Sequence, residues 1–160
     1  MAEPNVSALA RKWRVDIDSN PADPGETWVQ IKGVSEYKDS INPNLEDDSV
    51  YDDEGWGGQT KTALAQQIEI KIIRRHDPSD ETSYDPGQEL VRAAAREFGA
   101  DGQVHLRWYD RFGGPEAYDG WFEVQWVPDG GPHTALETVV VTFFGKGKPT
   151  AISNPNAASS

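Results

Sequence analysis

Histidine is the side chain best suited to acid–base or metal chemistry near neutral pH. The three here, His76, His105 and His133, fall in separate segments without metal-ligand spacing, so each reads as a structural or solvated residue. The acids of Glu46-Asp47-Asp48 and Asp52-Asp53-Glu54 raise calcium, but the order of acids and glycine of an EF-hand loop is missing. A solvated or interface loop is the simpler reading. Gln59-Thr60-Lys61-Thr62 is not a phosphate loop, and the serines form no nucleophile elbow. No carboxylate pair stands out with separated environments. Cysteine is absent, which removes disulfides and thiolate chemistry. No catalytic, cofactor or metal residue is assigned, and the chain does not read as an enzyme. Trp108, Tyr109, Trp121 and Trp126 could make a sugar-stacking platform; core or interface packing is the plainer use of such rings.

The 160 residues set one domain as the expectation. A domain of this size buries about 68–70% of its unfolded surface, enough for its own core. An apolar share of 36% is low for a compact monomer and points to long polar loops or to an oligomer. No apolar run approaches the roughly 20 residues of a membrane helix. Residues 1–10 lack the apolar stretch of a signal peptide, so synthesis and retention in a cytoplasm are expected. The net charge of −12 argues against ordinary nucleic-acid binding, which needs clustered cations.

The elements that must position these side chains are mostly strands. The exception is residues 85–99. Asp85 can cap the first free amides, Pro86 fits the first helical position, Gln88 sits where a capping-box partner would reach back, and Gly99 can close the helix. Leu90, Val91, Ala94, Ala95 and Phe98 form one apolar stripe, with Arg92, Arg96 and Glu97 opposite.

Ahead of the helix, residues 1–10 read as a flexible arm. Residues 12–18 alternate, placing Trp13, Val15 and Ile17 on one face; a turn at 20–25 and a strand at 27–34 close a hairpin. Residues 35–62 read as a long acidic loop. Between Glu36 and Glu54, eight acids stand against one base, Lys38. So long a loop is functional or disordered, and Tyr51 and Trp56 argue for docking on a partner, with ordering upon assembly. Residues 63–75 form a strand with Ile68, Ile70 and Ile72 inward and Gln67, Glu69 and Lys71 outward. A polar loop covers 76–81. After the helix, strands are expected near 104–109, 118–127 and 135–144, and residues 150–160 read as a flexible tail. Antiparallel strands with one helix give a β-sandwich or partly closed barrel over residues 11–149. The strand at 118–127 carries aromatics on both faces, so one side is expected to meet another subunit.

Three stretches together with this element order carry a resemblance. They are Trp28-Val29-Gln30-Ile31-Lys32-Gly33-Val34 leading into the long loop; Tyr51-Asp52-Asp53-Glu54-Gly55-Trp56 followed by Lys61-Thr62; and Tyr118-Asp119-Gly120 with Val139-Val140-Val141-Thr142-Phe143-Phe144-Gly145-Lys146-Gly147-Lys148-Pro149. Over about residues 11–149 the chain resembles the major tail tube proteins of long-tailed bacteriophages, whose plan the tube protein of type VI secretion shares.

The resemblance implies two packed antiparallel sheets flanked by one helix. It implies hexameric rings that stack into a tube, the conduit for DNA ejection, in a virion tail made in the host bacterial cytoplasm. The implied partners are further copies of the chain, the tape measure, the tail terminator and the baseplate or tip, with DNA passing unbound and no membrane. In the family one sheet per subunit lines the lumen, which makes Gln30, Lys32, Gln67, Glu69, Lys71, Glu123, Gln125 and Glu137 candidate lumen residues. The long loop reaches adjacent subunits, which makes Tyr51, Asp52, Asp53, Glu54 and Trp56 candidate contacts. The alternative is a monomeric β-sandwich module binding carbohydrate or protein through its aromatics.

Overall fold

The computed structural model describes residues 4, 7, 9–21 and 27–157. In chain order the elements are β1 (Trp13–Asp18), β2 (Trp28–Gln30), β3 (Val34–Asp47), β4 (Gln59–Ile73), β5 (His76–Asp77), β6 (Asp80–Tyr84), α1 (Pro86–Ala94), β7 (Gln103–Asp110), β8 (Ala117–Pro128), β9 (Thr138–Gly145) and β10 (Thr150–Ala151). Eight strands make one antiparallel sheet, ordered β2-β1-β7-β8-β9-β4-β3 with β10 beside β8; β5 and β6 form a second, small sheet. The fold is mainly β with a single helix, as expected, and the sheet does not close into a barrel.

The layering arises at β8. Its first half pairs with β7 over Ala117–Glu123 and its second half with β9 over Phe122–Pro128, so it carries the hydrogen bonding from one half of the sheet to the other. The halves share one core. Val15, Ile17, Leu106 and Trp108 from β1 and β7 meet Ile68, Ile70, Ile72, Val139, Val141 and Phe143 from β4 and β9. Phe122 lies edge-on to both Trp108 and Phe143, with centroids 5.3 and 6.2 Å away. The period-two alternation of these strands puts every second side chain into that core.

Helix α1 is shorter than residues 85–99. The Asp85 carboxylate caps it, accepting from the Gln88 amide at 3.1 Å, and Pro86 opens it. It ends at Ala94, because the chain must reverse into β7. Gly99 is left-handed, but it opens a one-turn 3-10 segment, Gly99–Gly102, instead of closing the helix. Phe98, expected on the apolar stripe, is 91% exposed.

Gln88 does not reach back as a capping partner. It is buried, donating to the carbonyls of Lys32 (2.6 Å) and Ile73 (3.2 Å) and accepting from Arg74 (3.2 Å). This clamps the helix to the turn between β2 and β3, where Gly33 has φ +79° and a Cβ would lie 2.7 Å from the Gln88 amide nitrogen. Gly87 is tighter still: a Cβ there would sit 2.4 Å from the Gln30 carbonyl oxygen.

Three expected loops are structured. Residues 35–62 are not a loop but most of a long β-hairpin, paired from Val34↔Ile72 to Asp47↔Gln59. Its distal part is exposed on both faces, so its sequence shows no apolar alternation. Pro43 is tolerated because β3 is an edge strand with one side unpaired. The polar loop at 76–81 belongs to the β5–β6 hairpin. The tail is tied down through residue 157: β10 pairs with Tyr118 and Asp119, and the Asn154 amide donates to the carbonyls of Asp110 and Gly114 at 2.7 and 2.8 Å. Most of the expected N-terminal arm, the turn at 22–25 and residues 158–160 lie outside the described residues.

Candidate assembly surfaces

Five of the eight lumen candidates share one outward face. The registers of β8, β9, β4 and β3 line up as rows across the sheet: Glu123, Phe144, Gln67, Ser40; then Gln125, Thr142, Glu69, Lys38; then Val127, Val140, Lys71, Glu36. Gln67, Glu69, Lys71, Glu123 and Gln125 therefore form a single polar band. Its charges alternate. Lys38 stands opposite Glu69, Lys71 opposite Glu36, and Lys146 lies 3.4 Å from Glu123. Opposite charges facing each other across strands stabilise the sheet, while like charges would not. Glu36, Lys38 and Ser40 went unnoticed as band members because their segment reads as a loop.

The other three candidates lie elsewhere. Gln30 pairs with Asp16 on the outward face of the β1–β7 half. Lys32 is exposed in the turn before β3, its amide donating to Asp85 at 3.2 Å. Glu137 precedes β9 and approaches Arg74 at 3.9 Å.

The second surface is the tip of the β3–β4 hairpin, residues 48–58. Its neck is pinned by the Asp48 amide on the Gly58 carbonyl (3.1 Å), the Gly58 amide on Ser49 Oγ (2.7 Å), and the contact between Thr60 and Asp48. Glu54 and Gly55 take positive φ to close the turn. Tyr51 is 105% and Trp56 81% exposed, beside exposed Asp52 and Glu54; the Asp53 side chain lies outside the described ones. Ile41, Leu45, Val50 and Leu64 are exposed along the same arm. The projection thus carries a concentration of exposed apolar surface.

A third arrangement escaped the sequence reading. On the outward face of β1 and β7, the fully buried Asp16 carboxylate accepts from Arg14 (3.0 Å), Arg107 (2.8 Å) and the Tyr109 hydroxyl (3.2 Å). Burial, then the Asp16 charge, pushes the Tyr109 phenol up. His105 stacks on Trp121 at 4.8 Å and touches Asp18 and Asp119 at 3.4 and 3.3 Å. These contacts tie β1, β7 and β8 together. The signal was the matching alternation of Arg14-Asp16-Asp18 and His105-Arg107-Tyr109, legible only once the two strands are paired. The four aromatics weighed as a sugar platform do not make one: Trp108 is 1% exposed in the core, Tyr109 is buried, and Trp126 packs against the core and Arg74.

No protein-family model and no curated protein matches the sequence. Solved structures do match. The chain is similar to one in the tail of an empty gene transfer agent particle computed with C6 symmetry, at TM-score 0.62 and 13% identity, covering 92% of this chain and 100% of that one. It is similar to a chain in the native gene transfer agent virion at TM-score 0.62 and 12% identity, with the same coverage. It is similar to the SPP1 tail tube at TM-score 0.64 and 10% identity, covering 92% of this chain and 81% of that one. Identity at this level establishes fold and nothing finer: the chain shares the fold of the SPP1 tail tube and of a gene transfer agent tail component.

Proposed function

We propose that this chain is a structural tail protein that polymerises as stacked hexameric rings into a phage tail tube, the conduit for DNA ejection. The observation that carries the reading is the match over 92% of the chain to assembled tail structures. The exposed apolar arm and the open sheet edges at β2 and β3 support it, since ring closure pairs edges that a lone subunit leaves free. Tape-measure, terminator and baseplate or tip proteins are the further partners in this reading. The protein is made in a host bacterial cytoplasm and ends in the virion tail.

The polar band formed by Gln67, Glu69, Lys71, Glu123 and Gln125 faces the lumen in this proposal. Each of its cations has a carboxylate opposite or beside it. Passing phosphates thus find no unpaired cation from which to release counterions, and the DNA slides without adhering.

Negative-stain microscopy of concentrated protein tests assembly: rings or tubes are expected, and virion tails lacking this polypeptide would overturn the proposal. Glu69→Lys with Glu123→Lys tests the lumen assignment. Tubes should still form, while DNA ejection slows, most at low salt. Ejection at the unmodified rate in low salt would remove the band from the lumen.

A further inference from the structure

Arg74 follows the inward series Ile68, Ile70 and Ile72 by period two, just past the point where the β4–β9 ladder ends at Ile73↔Thr138. Its side chain is 5% exposed. The guanidinium carbon lies 4.2 Å from the centre of the Tyr84 ring and 5.4 Å from that of Trp126. Nη1 donates to Gln88 at 3.2 Å and Nη2 to Glu89 at 2.6 Å. Nε has no such acceptor. Among the described residues it is the one buried side-chain nitrogen or oxygen without a hydrogen-bond partner. A charged donor left so is costly, and native structures leave few of them. Glu89 cannot supply the missing bond, because its other oxygen already accepts from Arg92 at 3.0 and 2.6 Å. Glu137 can. Its carboxylate stands 3.9 Å from Nε, inside ion-pair range and outside hydrogen-bond range. Its side chain is 61% exposed and free to turn. Its backbone is already in place, since the Arg74 amide donates to the Glu137 carbonyl at 3.0 Å.

We propose that Glu137 is the bolt of a two-position latch on Arg74. Closed, the carboxylate turns in and accepts from Nε, so that all three guanidinium nitrogens are satisfied. Open, it stands off in solvent and Nε is bare. Closure takes side-chain torsions alone, with no movement of the backbone. In the closed position one guanidinium joins α1 through Glu89, the end of β4 through its own backbone, and the root of the loop at 129–137 through Glu137. In the open position that root depends on a backbone bond at the frayed end of a ladder. The other root of the loop is Asp129, whose amide donates to the Thr138 carbonyl at 3.0 Å and whose carboxylate lies 3.7 Å from Lys71 of the polar band. The latch therefore sets how firmly the loop, and with it the Asp129 partner of Lys71, is tied to the helix. Nothing in this uses the tube reading, and the isolated subunit is enough to test it.

Hydrogen exchange by NMR on the dilute, full-length subunit reads the two positions. The Arg74 Nε–H should exchange with water about tenfold or more slower than that of exposed Arg75. Glu137→Ala should speed both the Arg74 Nε–H and the Arg74 amide about fivefold or more. The Ile73 amide, which donates to the Gly33 carbonyl at 2.8 Å, should keep its rate. Leu136→Ala, at the neighbouring exposed residue, should change neither Arg74 signal. Both substituted positions are exposed, so neither variant endangers the fold. Arg74 rates that are the same in Glu137→Ala and in the unmodified chain overturn the latch. Equal acceleration in the two variants overturns it as well, since the effect then belongs to the loop and not to the carboxylate. So does an Arg74 Nε–H that exchanges as fast as that of Arg75.

Discussion

The two ends of the β3–β4 hairpin are built from one continuous ladder and live in different solvents. Near the base, Ile68, Ile70 and Ile72 are fully buried against Val139, Val141 and Phe143. From about residue 41 outward on β3, and back to residue 65 on β4, every residue whose side chain is described is exposed except Gly58 at the neck. Backbone pairing is the same in both, so pairing alone does not explain the arm. Isolated two-stranded ribbons are marginal in water. What holds the distal ladder is local polar pairing, such as Asn44 Nδ2 on Thr62 Oγ1 at 2.6 Å and Asn42 Nδ2 on Gln67 Oε1 at 3.2 Å, together with its covalent continuity with the packed base. The base holds the buried apolar face of the hairpin; the arm holds its exposed apolar side chains.

That contrast fixes the largest expected effect. Phe143→Ala at the base removes a fully buried ring in contact with Phe122, and should cost about 3–5 kcal/mol in denaturant unfolding. Leu64→Ala, an aliphatic truncation on the exposed arm, should stay within about 0.5 kcal/mol. Comparable losses at the two sites would mean that the arm is packed in solution. Next in size is the clamp that sets where the hairpin starts. Gln88→Leu keeps the volume but strips the donor from the Lys32 and Ile73 carbonyls, at an expected cost of about 1–3 kcal/mol. A neutral result would show that the turn at Gly33 holds itself.

The base was legible in the sequence and the arm was not, for a physical reason. Ile68, Ile70 and Ile72 alternate with polar residues because one face is buried, and the same rule revealed β1, β7 and β8, while β9 was legible from its β-branched residues. Solvent on both sides of the distal part erases that alternation, so residues 35–62 read as a loop, and Pro43 and the acids reinforced the error. The helix start was equally readable, since Asp85 and Pro86 act locally. Its end was not, because the reversal into β7 is a tertiary demand that overrode the stripe at Ala95 and Phe98. For the candidate site, Tyr51 and Trp56 could be singled out as exposed rings without the hairpin that presents them. The outward set Gln67, Glu69 and Lys71 was readable from alternation, whereas its partners Glu36 and Lys38 needed the register.

A smaller effect separates the base from the arm by pH. Burial first, then the Asp39 carboxylate 3.1 Å from its hydroxyl, push the Tyr37 phenol far above the usual tyrosine range. Because the folded state holds this proton more tightly than the unfolded chain, the contribution is intact at neutral pH. It is lost as pH rises past the unfolded tyrosine value of about 10. Denaturation curves should weaken progressively above that point, and Tyr37→Phe should flatten the decline. Tyr109, raised for the same leading reason, leaves a residual slope of the same sign. An unchanged decline in Tyr37→Phe would put the alkaline sensitivity outside the base of the hairpin.

The smallest expected effect on stability belongs to the tip, and its smallness is the point. Tyr51 is fully exposed and Trp56 largely so, so Tyr51→Ala with Trp56→Ala removes little buried area from the subunit. The neck bonds of Asp48, Ser49 and Gly58 do not involve either ring. Unfolding free energy should therefore change by no more than about 0.5 kcal/mol. Assembly should respond in the opposite proportion, because exposed aromatics of this kind are the residues that dominate interfaces once a partner desolvates them. Equilibrium unfolding of the dilute subunit, set beside sedimentation of the concentrated protein, reads the two quantities separately. A double variant that melts normally and no longer sediments as an assembly confirms the division of labour along the hairpin. One that unfolds early would mean that the rings pack on their own subunit, and one that assembles unhindered would leave the arm's apolar surface without the partner argued for it.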